Sequence, residues 1–268
     1  MKRFLSILLV LTLIMGTMLI PETAMAASGK ITTKYFSLQT VQTYSDSTSS
    51  TSLGVRVYFV NGNKKNITKY KATFYFYDSD DNYVSSKSTS WQKKTIKYKK
   101  GAWTPFVTMP SNAAYFSYKL SYKCASTSYS KTDSSHSSLS STTRTKHIAV
   151  NSAMIGGEDD DGTIIKGGVT VGSKVQWKNV YNFSVSTGSM TSHKTYYRTY
   201  ITNNYSKSVY KYYIKYQCYD SDDNYLKLVS TGTKKLTIKK GKSAWSAWIT
   251  VPNDTYYVVL YSGKVYFK

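Results

Sequence analysis

Two short acidic stretches hold the residue types best suited to chemistry: Asp78-Ser79-Asp80-Asp81-Asn82 and Asp220-Ser221-Asp222-Asp223-Asn224. Three carboxylates within five residues suit either a calcium site or a chain reversal. Calcium loops alternate their ligands, bend at a glycine and close with a bidentate Glu. Neither stretch contains a Gly, and no Glu follows at loop spacing. Asp and Asn tolerate positive φ and bond their own backbone, which is what a hairpin reversal asks for. The turn is therefore the primary reading. The calcium reading, with Asp78, Asp80 and Asp81 in one stretch and Asp220, Asp222 and Asp223 in the other, stands second.

The remaining titratable residues argue against catalysis. Glycoside hydrolysis calls for two positioned carboxyls, yet beyond the N-terminal segment Glu158 is the only Glu. His136, His147 and His193 are scattered, with no zinc spacing and no Gly-x-Ser-x-Gly elbow beside them. Glu158-Asp159-Asp160-Asp161-Gly162 reads as a solvated acidic run offsetting nearby lysines, with low-affinity Ca²⁺ as the alternative. An enzyme is not expected, and no cofactor other than Ca²⁺ is suggested.

Binding chemistry is better represented. Arg56 and Tyr58 match Arg198 and Tyr200, so two of only four arginines occupy one repeated site. An Arg beside a Tyr on one strand face can stack on a sugar ring or grip an anion with two donors. The plain alternative is a packing pair that shields the sheet. Trp103 and Trp245 share an alternation phase with Val107 and Ile249 and are expected in the core. On that phase Phe106 and Trp248 point outward as a stacking platform.

These matches belong to a duplication. With an offset of 142 residues, Arg56 falls on Arg198, Tyr77–Tyr83 on Tyr219–Tyr225, Thr95-Ile96-Lys97 on Thr237-Ile238-Lys239, and Pro110 on Pro252. A compensated two-residue shift is expected where Lys100-Gly101 meets Lys240-Gly241. Each copy has short runs rich in Tyr, Val, Thr and Phe between Asn, Gly and Asp punctuation, preceded by a further strand near Lys34–Tyr44 and Lys174–Ser184. Val55, Val57 and Phe59 share one strand face; Ala72, Phe74 and Phe76 correspond to Ile214, Tyr216 and Cys218 as inward residues. The expected fold is all-β: two tandem immunoglobulin-like antiparallel β-sandwiches after an N-terminal signal peptide.

The divisions expected are 1–26, a signal peptide; 27–124, the first sandwich; 125–166, a Ser/Thr-rich and acidic linker; and 167–268, the second sandwich. Lys2 and Arg3, an apolar run from Phe4 to Ile20, and Ala24-Met25-Ala26 predict cleavage after Ala26 and secretion. An uncleaved anchor helix is the alternative, and no transmembrane segment is expected in the mature chain. Cys124 and Cys218 do not repeat between copies and are read as small buried hydrophobes, with an interdomain bridge as the alternative.

Within the repeat, Phe74-Tyr75-Phe76-Tyr77-Asp78 resembles a Phe-x-Leu-Tyr-Asp pattern with Phe in place of Leu, and Tyr216-Gln217-Cys218-Tyr219-Asp220 keeps its Tyr-Asp end. With Asn61 and Asn203 upstream and Gly101 and Gly241 downstream, about 70 residues of each copy resemble the FxLYD-type immunoglobulin-like modules of bacterial surface and secreted proteins. The resemblance implies an extracytoplasmic accessory module, commonly without an assigned activity, and brings no catalytic residues.

Formal charge is +22, or +21 once Lys2, Arg3 and Glu22 are set aside. A Lys-rich coat attracts polyanions diffusely, whereas base-reading proteins lean on Arg. The expected function is a secreted, non-catalytic protein that binds an anionic cell-wall polymer or polysaccharide, and extracellular DNA non-specifically. It would stay secreted or non-covalently attached to the cell surface. A structural or partner-assembly protein pairing through sheet edges is the first alternative; an exported hydrolase or toxin is the second.

Overall fold

In a computed structural model, the structure describes residues 31–45, 48–125, 127–133, 153–158, 160 and 164–268. The segment read as a signal peptide, His136, His147 and much of 125–166 lie outside them. Among the described residues there is no helix, and the chain is all-β and sandwich-like. The first half contains β1 (Ile31–Ser45), β2 (Thr48–Asn61), β3 (Ile67–Tyr77), β4 (Tyr83–Ser88), β5 (Gln92–Ile96), β6 (Gly101–Trp103), β7 (Val107–Thr108), β8 (Tyr115–Cys124) and β9 (Thr127–Asp133). The second contains β10 (Ala153–Glu158), β11 (Ile164–Ser184), β12 (Met190–Asn203), β13 (Val209–Tyr219), β14 (Tyr225–Ser230), β15 (Lys234–Ile238), β16 (Ser243–Trp245), β17 (Ile249–Val251) and β18 (Tyr257–Phe267).

Alternation of large and polar side chains explains the strands. In β3 every second residue from Tyr70 to Phe76 is buried, and β13 repeats the pattern from Tyr212 to Cys218. One face of each strand thus meets a core while the other stays near solvent. Two core clusters result. The first gathers Val55, Val57, Phe59, Phe74, Phe76, Phe116 and Leu120; the second gathers Val169, Trp177, Tyr197, Ile214, Tyr216, Val265 and Phe267.

The first core lies between a sheet containing β1, β2, β6 and β7 and a second sheet ordered β4-β3-β8-β9, with β5 beside β3. In the second half, β11, β12, β16 and β17 face β14-β13-β18, with β15 beside β13. There β10 joins the layers, antiparallel to β11 and parallel to β18. Gly157 lets it fit: an added Cβ would come within 2.5 Å of Phe267 and 2.6 Å of Val265.

The halves are not beads on a string. Strand β1 pairs with β11 in an unbroken antiparallel ladder from Tyr35 opposite Ser184 to Ser45 opposite Lys174. Side chains follow the backbone across this seam. Tyr181 and Phe183 of β11 belong to the first core, where Phe183 stacks on Phe36 at 4.9 Å, and Tyr44 of β1 packs against the second.

Three sequence expectations change. Segment 125–166, expected as a linker, contributes β9, β10 and the start of β11, because strands pair through backbone groups and do not require an apolar composition. The second core also begins before residue 167, since Ile155 of β10 lies in it. The two-residue shift near Gly101 is not needed. Lys99 has φ 59° and Gly241 has φ 66°, so the 142-residue offset runs through the turn and simply places a lysine where its counterpart is glycine.

Candidate functional site

The seam brings four strands side by side in the order β2-β1-β11-β12, and Arg56 and Arg198 stand on the face of this sheet away from the cores. Each guanidinium lies between two rings. Arg56 Cζ is 4.4 Å from the Trp103 ring centre and 4.3 Å from that of Phe106. Arg198 Cζ is 4.8 Å from Trp245 and 4.3 Å from Trp248. Tyr58 and Tyr200 flank these clamps, with ring centres 5.2 Å and 5.0 Å from Trp103 and Trp245.

Trp103 and Trp245 are therefore half-buried members of the outer face, which corrects their expected place in the core. Simple alternation from Trp103 to Val107 assumes one continuous strand. Instead, β6 stops at Trp103 and Thr104 turns inward, its amide donating to Val57 O at 2.9 Å and its hydroxyl accepting from Val57 N at 3.1 Å. Ser246 makes the same pair of bonds with Thr199. This break resets the phase, so Trp103 points out, Ala102 is buried, and Val107 is buried again in β7.

Lys178 of β11 completes the site. Its ammonium is 4.3 Å from the Trp248 ring centre and 4.5 Å from that of Tyr196. Burial, then repulsion from Arg198 and Arg56, lowers its pKa to about 8. Burial also lowers the pKa of both arginines. Among the described residues, none of these three cations forms an ion pair. Arg198 Nε donates to Gln176 Oε1 at 2.7 Å, whereas Arg56 Nε is buried with no hydrogen-bond partner. The arrangement concentrates positive charge on an aromatic floor, where desolvation strengthens its attraction for an anion.

Repetition in the sequence revealed the two arginines but not Lys178, whose neighbours across the seam offer no second lysine to match it. Trp177, left unassigned by the sequence, is fully buried and meets Tyr197 edge-on at 4.9 Å; Trp91 is exposed beneath Lys69 and Lys71.

The acidic stretches are built as turns. Asp78 Oδ1 accepts from the amides of Asp80 and Asn82, both at 2.9 Å, and Asp220 Oδ1 accepts likewise from Asp222 and Asn224. These donors hold the carboxyls of Asp78 and Asp220 below their ordinary pKa. Asp81 and Asp223 supply the left-handed turn residue, with φ 62° and 63°. Backbone amides thus engage Asp78 Oδ1 and Asp220 Oδ1 as turn acceptors. Among the described residues, no three His, Cys, Asp or Glu side chains gather closely enough to hold a metal.

His193 stacks on Tyr181 at 4.4 Å and bonds Asn179 Oδ1 through Nε2 at 3.0 Å. Glu158 pairs with Lys264 at 2.5 Å. Cys124 and Cys218 are both free and buried, and burial pushes the Cys218 thiol up to about 11. No described helix is long and apolar enough to cross a membrane. Compared with known protein families the chain matches none, and no curated protein sequence matches it either.

Proposed function

We propose that this chain is a secreted, non-catalytic binding protein that holds an anionic cell-envelope polymer or polysaccharide against the outer face of the β2-β1-β11-β12 sheet. The observation that carries this reading is the convergence of Arg56, Lys178 and Arg198 on one aromatic floor without an acidic partner among the described residues. Three near cations repel one another, so a polyanion laid across them relieves an existing cost as well as adding attraction. Stacking holds the guanidiniums flat, which spares the ligand part of the entropy of ordering them.

In this reading the two core clusters are tandem immunoglobulin-like sandwiches of the FxLYD type, exported by cleavage after Ala26. The repeated buried Asn pins support that relationship between the halves. Asn61 Nδ2 donates to Ile96 O and Lys65 O; Asn203 Nδ2 donates to Ile238 O and Lys207 O. Extracellular DNA is a non-specific competitor, since a stacked Arg reads charge and no base edge.

The test is retention of the mature chain on purified cell walls and on soluble anionic polysaccharide across a NaCl series. Retention is expected to fall steeply with salt, and the Arg56→Ala/Arg198→Ala variant should elute at much lower salt. Salt-insensitive retention, or equal elution of both proteins, overturns the reading.

A further inference from the structure

At the Tyr35 end of the seam, an open cleft of about 390 Å³ lies between the halves. Tyr35, Tyr58 and Trp103 of the first half give it three rings; Asn182, Thr191 and Ser192 of the second give it a polar rim. The rings form a continuous wall, with Tyr35 and Tyr58 centred 5.9 Å apart and Tyr58 and Trp103 5.2 Å apart. The rim is ordered by its own bonds: Ser37 Oγ donates to Asn182 Oδ1, Asn182 Nδ2 donates to Ser192 Oγ at 2.8 Å, and Thr191 Oγ1 donates to Asn182 O at 3.0 Å. The size falls within the roughly 300–1,000 Å³ common for small-ligand sites.

We propose that this cleft seats a sugar ring, so that the polymer bound by the face is an acidic polysaccharide and not a polyphosphate. A pyranose has an apolar C–H face and a hydroxyl edge, which match a wall of rings beside a rim of amide and hydroxyl groups. A polyphosphate has no apolar face and gains nothing from three rings. The acid requirement comes from Trp103, shared between two neighbours. Its ring lines the cleft, and Arg56 Cζ lies 4.4 Å from its centre, which sets a cation on one wall of the cleft.

The opposite end of the seam differs. Tyr35 faces Ser184 at one end of the ladder, while Lys174 faces Ser45 at the other and lies 5.6 Å from the Tyr200 ring centre. Arg198 is engaged there by Gln176, which bonds Thr43 at 2.8 Å. One end thus holds a cleft walled by three rings, and the other holds Lys174 and Arg198 beside the Tyr200–Trp245 ring pair.

The proposal takes its charge, but not its ring site, from the polyanion reading above. The test is calorimetric titration of the mature chain with three probes of matched length: an oligogalacturonate, inorganic polyphosphate and a neutral oligosaccharide. Tyr35→Ala should weaken the oligogalacturonate about five- to tenfold and leave polyphosphate unchanged, and Tyr35→Phe should restore sugar binding. Equal losses for both polyanions, or no loss for the sugar, overturn the ring site. Wild-type binding of polyphosphate but of neither saccharide also overturns it and leaves the polyanion reading intact. Tyr35-dependent binding of the neutral oligosaccharide alone supports the ring site while the polyanion reading fails.

Discussion

Lys99 and Gly241 occupy the same left-handed turn position in the two halves, with φ 59° and 66°. Their amides donate to the backbone carbonyls of Asn61 at 2.7 Å and Asn203 at 2.8 Å, so each turn is tied to the backbone of a buried Asn. A side chain in this region costs about 1–2 kcal/mol, offset in part by the greater chain entropy that a glycine loses on folding. Lys99→Gly should therefore stabilise the protein by up to about 1 kcal/mol, and Gly241→Ala should destabilise it by about 1 kcal/mol. Urea denaturation checks both. A destabilising Lys99→Gly would mean that the Lys99 ammonium, 5.3 Å from the Tyr98 ring centre, contributes more than the turn conformation costs.

The seam predicts that the halves unfold together. Phe183 belongs to β11 by sequence but to the first core by packing, stacked on Phe36. Phe183→Ala should cost about 3 kcal/mol and split one denaturation transition into two. Differential scanning calorimetry distinguishes the cases. Two transitions already present in the native chain would show that the ladder does not couple the cores.

Lys178 gives the binding face a pH limit. Its pKa is about 8 in the folded chain, against 10.5 for an ordinary lysine. Between these values the unfolded chain holds the extra proton, so Lys178 makes stability rise as pH rises through that window. Binding should move the opposite way, weakening above about pH 8 as the ammonium is lost. Lys178→Met should flatten both trends relative to wild type. Thermal melts and titrations with one polyanion from pH 7 to 10 check this.

The acidic turns predict an acid limit. Backbone donors depress the carboxyl pKa values of Asp78 and Asp220. Their contribution is complete above the ordinary Asp pKa and is lost as pH falls through the lower folded values. Asp78→Asn/Asp220→Asn keeps an accepting oxygen without titration. It should fold at neutral pH with little loss and show a shallower stability decline below about pH 4. Calcium should not alter the wild-type melt. A calcium-dependent rise abolished in this variant would restore the ion-site reading.

His193 adds an effect in the same direction. Burial lowers its pKa below 6.5, with the Asp254 charge opposing. The unfolded chain takes up the proton first, so stability should fall as pH drops below about 6.5. His193→Gln should remove that component from the melt series.

Much of this protein was legible in the residue order because strand alternation and turn chemistry act over a few neighbours. The repeat, the inward sets at Phe74-Phe76 and Tyr216-Cys218, and the carboxylate-capped reversals at Asp78 and Asp220 are all local consequences of side-chain type and spacing. The paired arginines were visible for the same reason, since duplication repeats any local pattern. The seam was not visible, because a ladder between β1 and β11 depends on backbone groups that every sequence carries and on two edges meeting far apart in the chain. Nor were the phase reset at Thr104 that turned Trp103 outward, or the arrival of Lys178 between Tyr196 and Trp248, since alternation predicts a face only while a strand remains unbroken. The order of residues determined what each half is made of. Only the folded chain, by pairing β1 of one half with β11 of the other, decided that their cations and rings share a single surface.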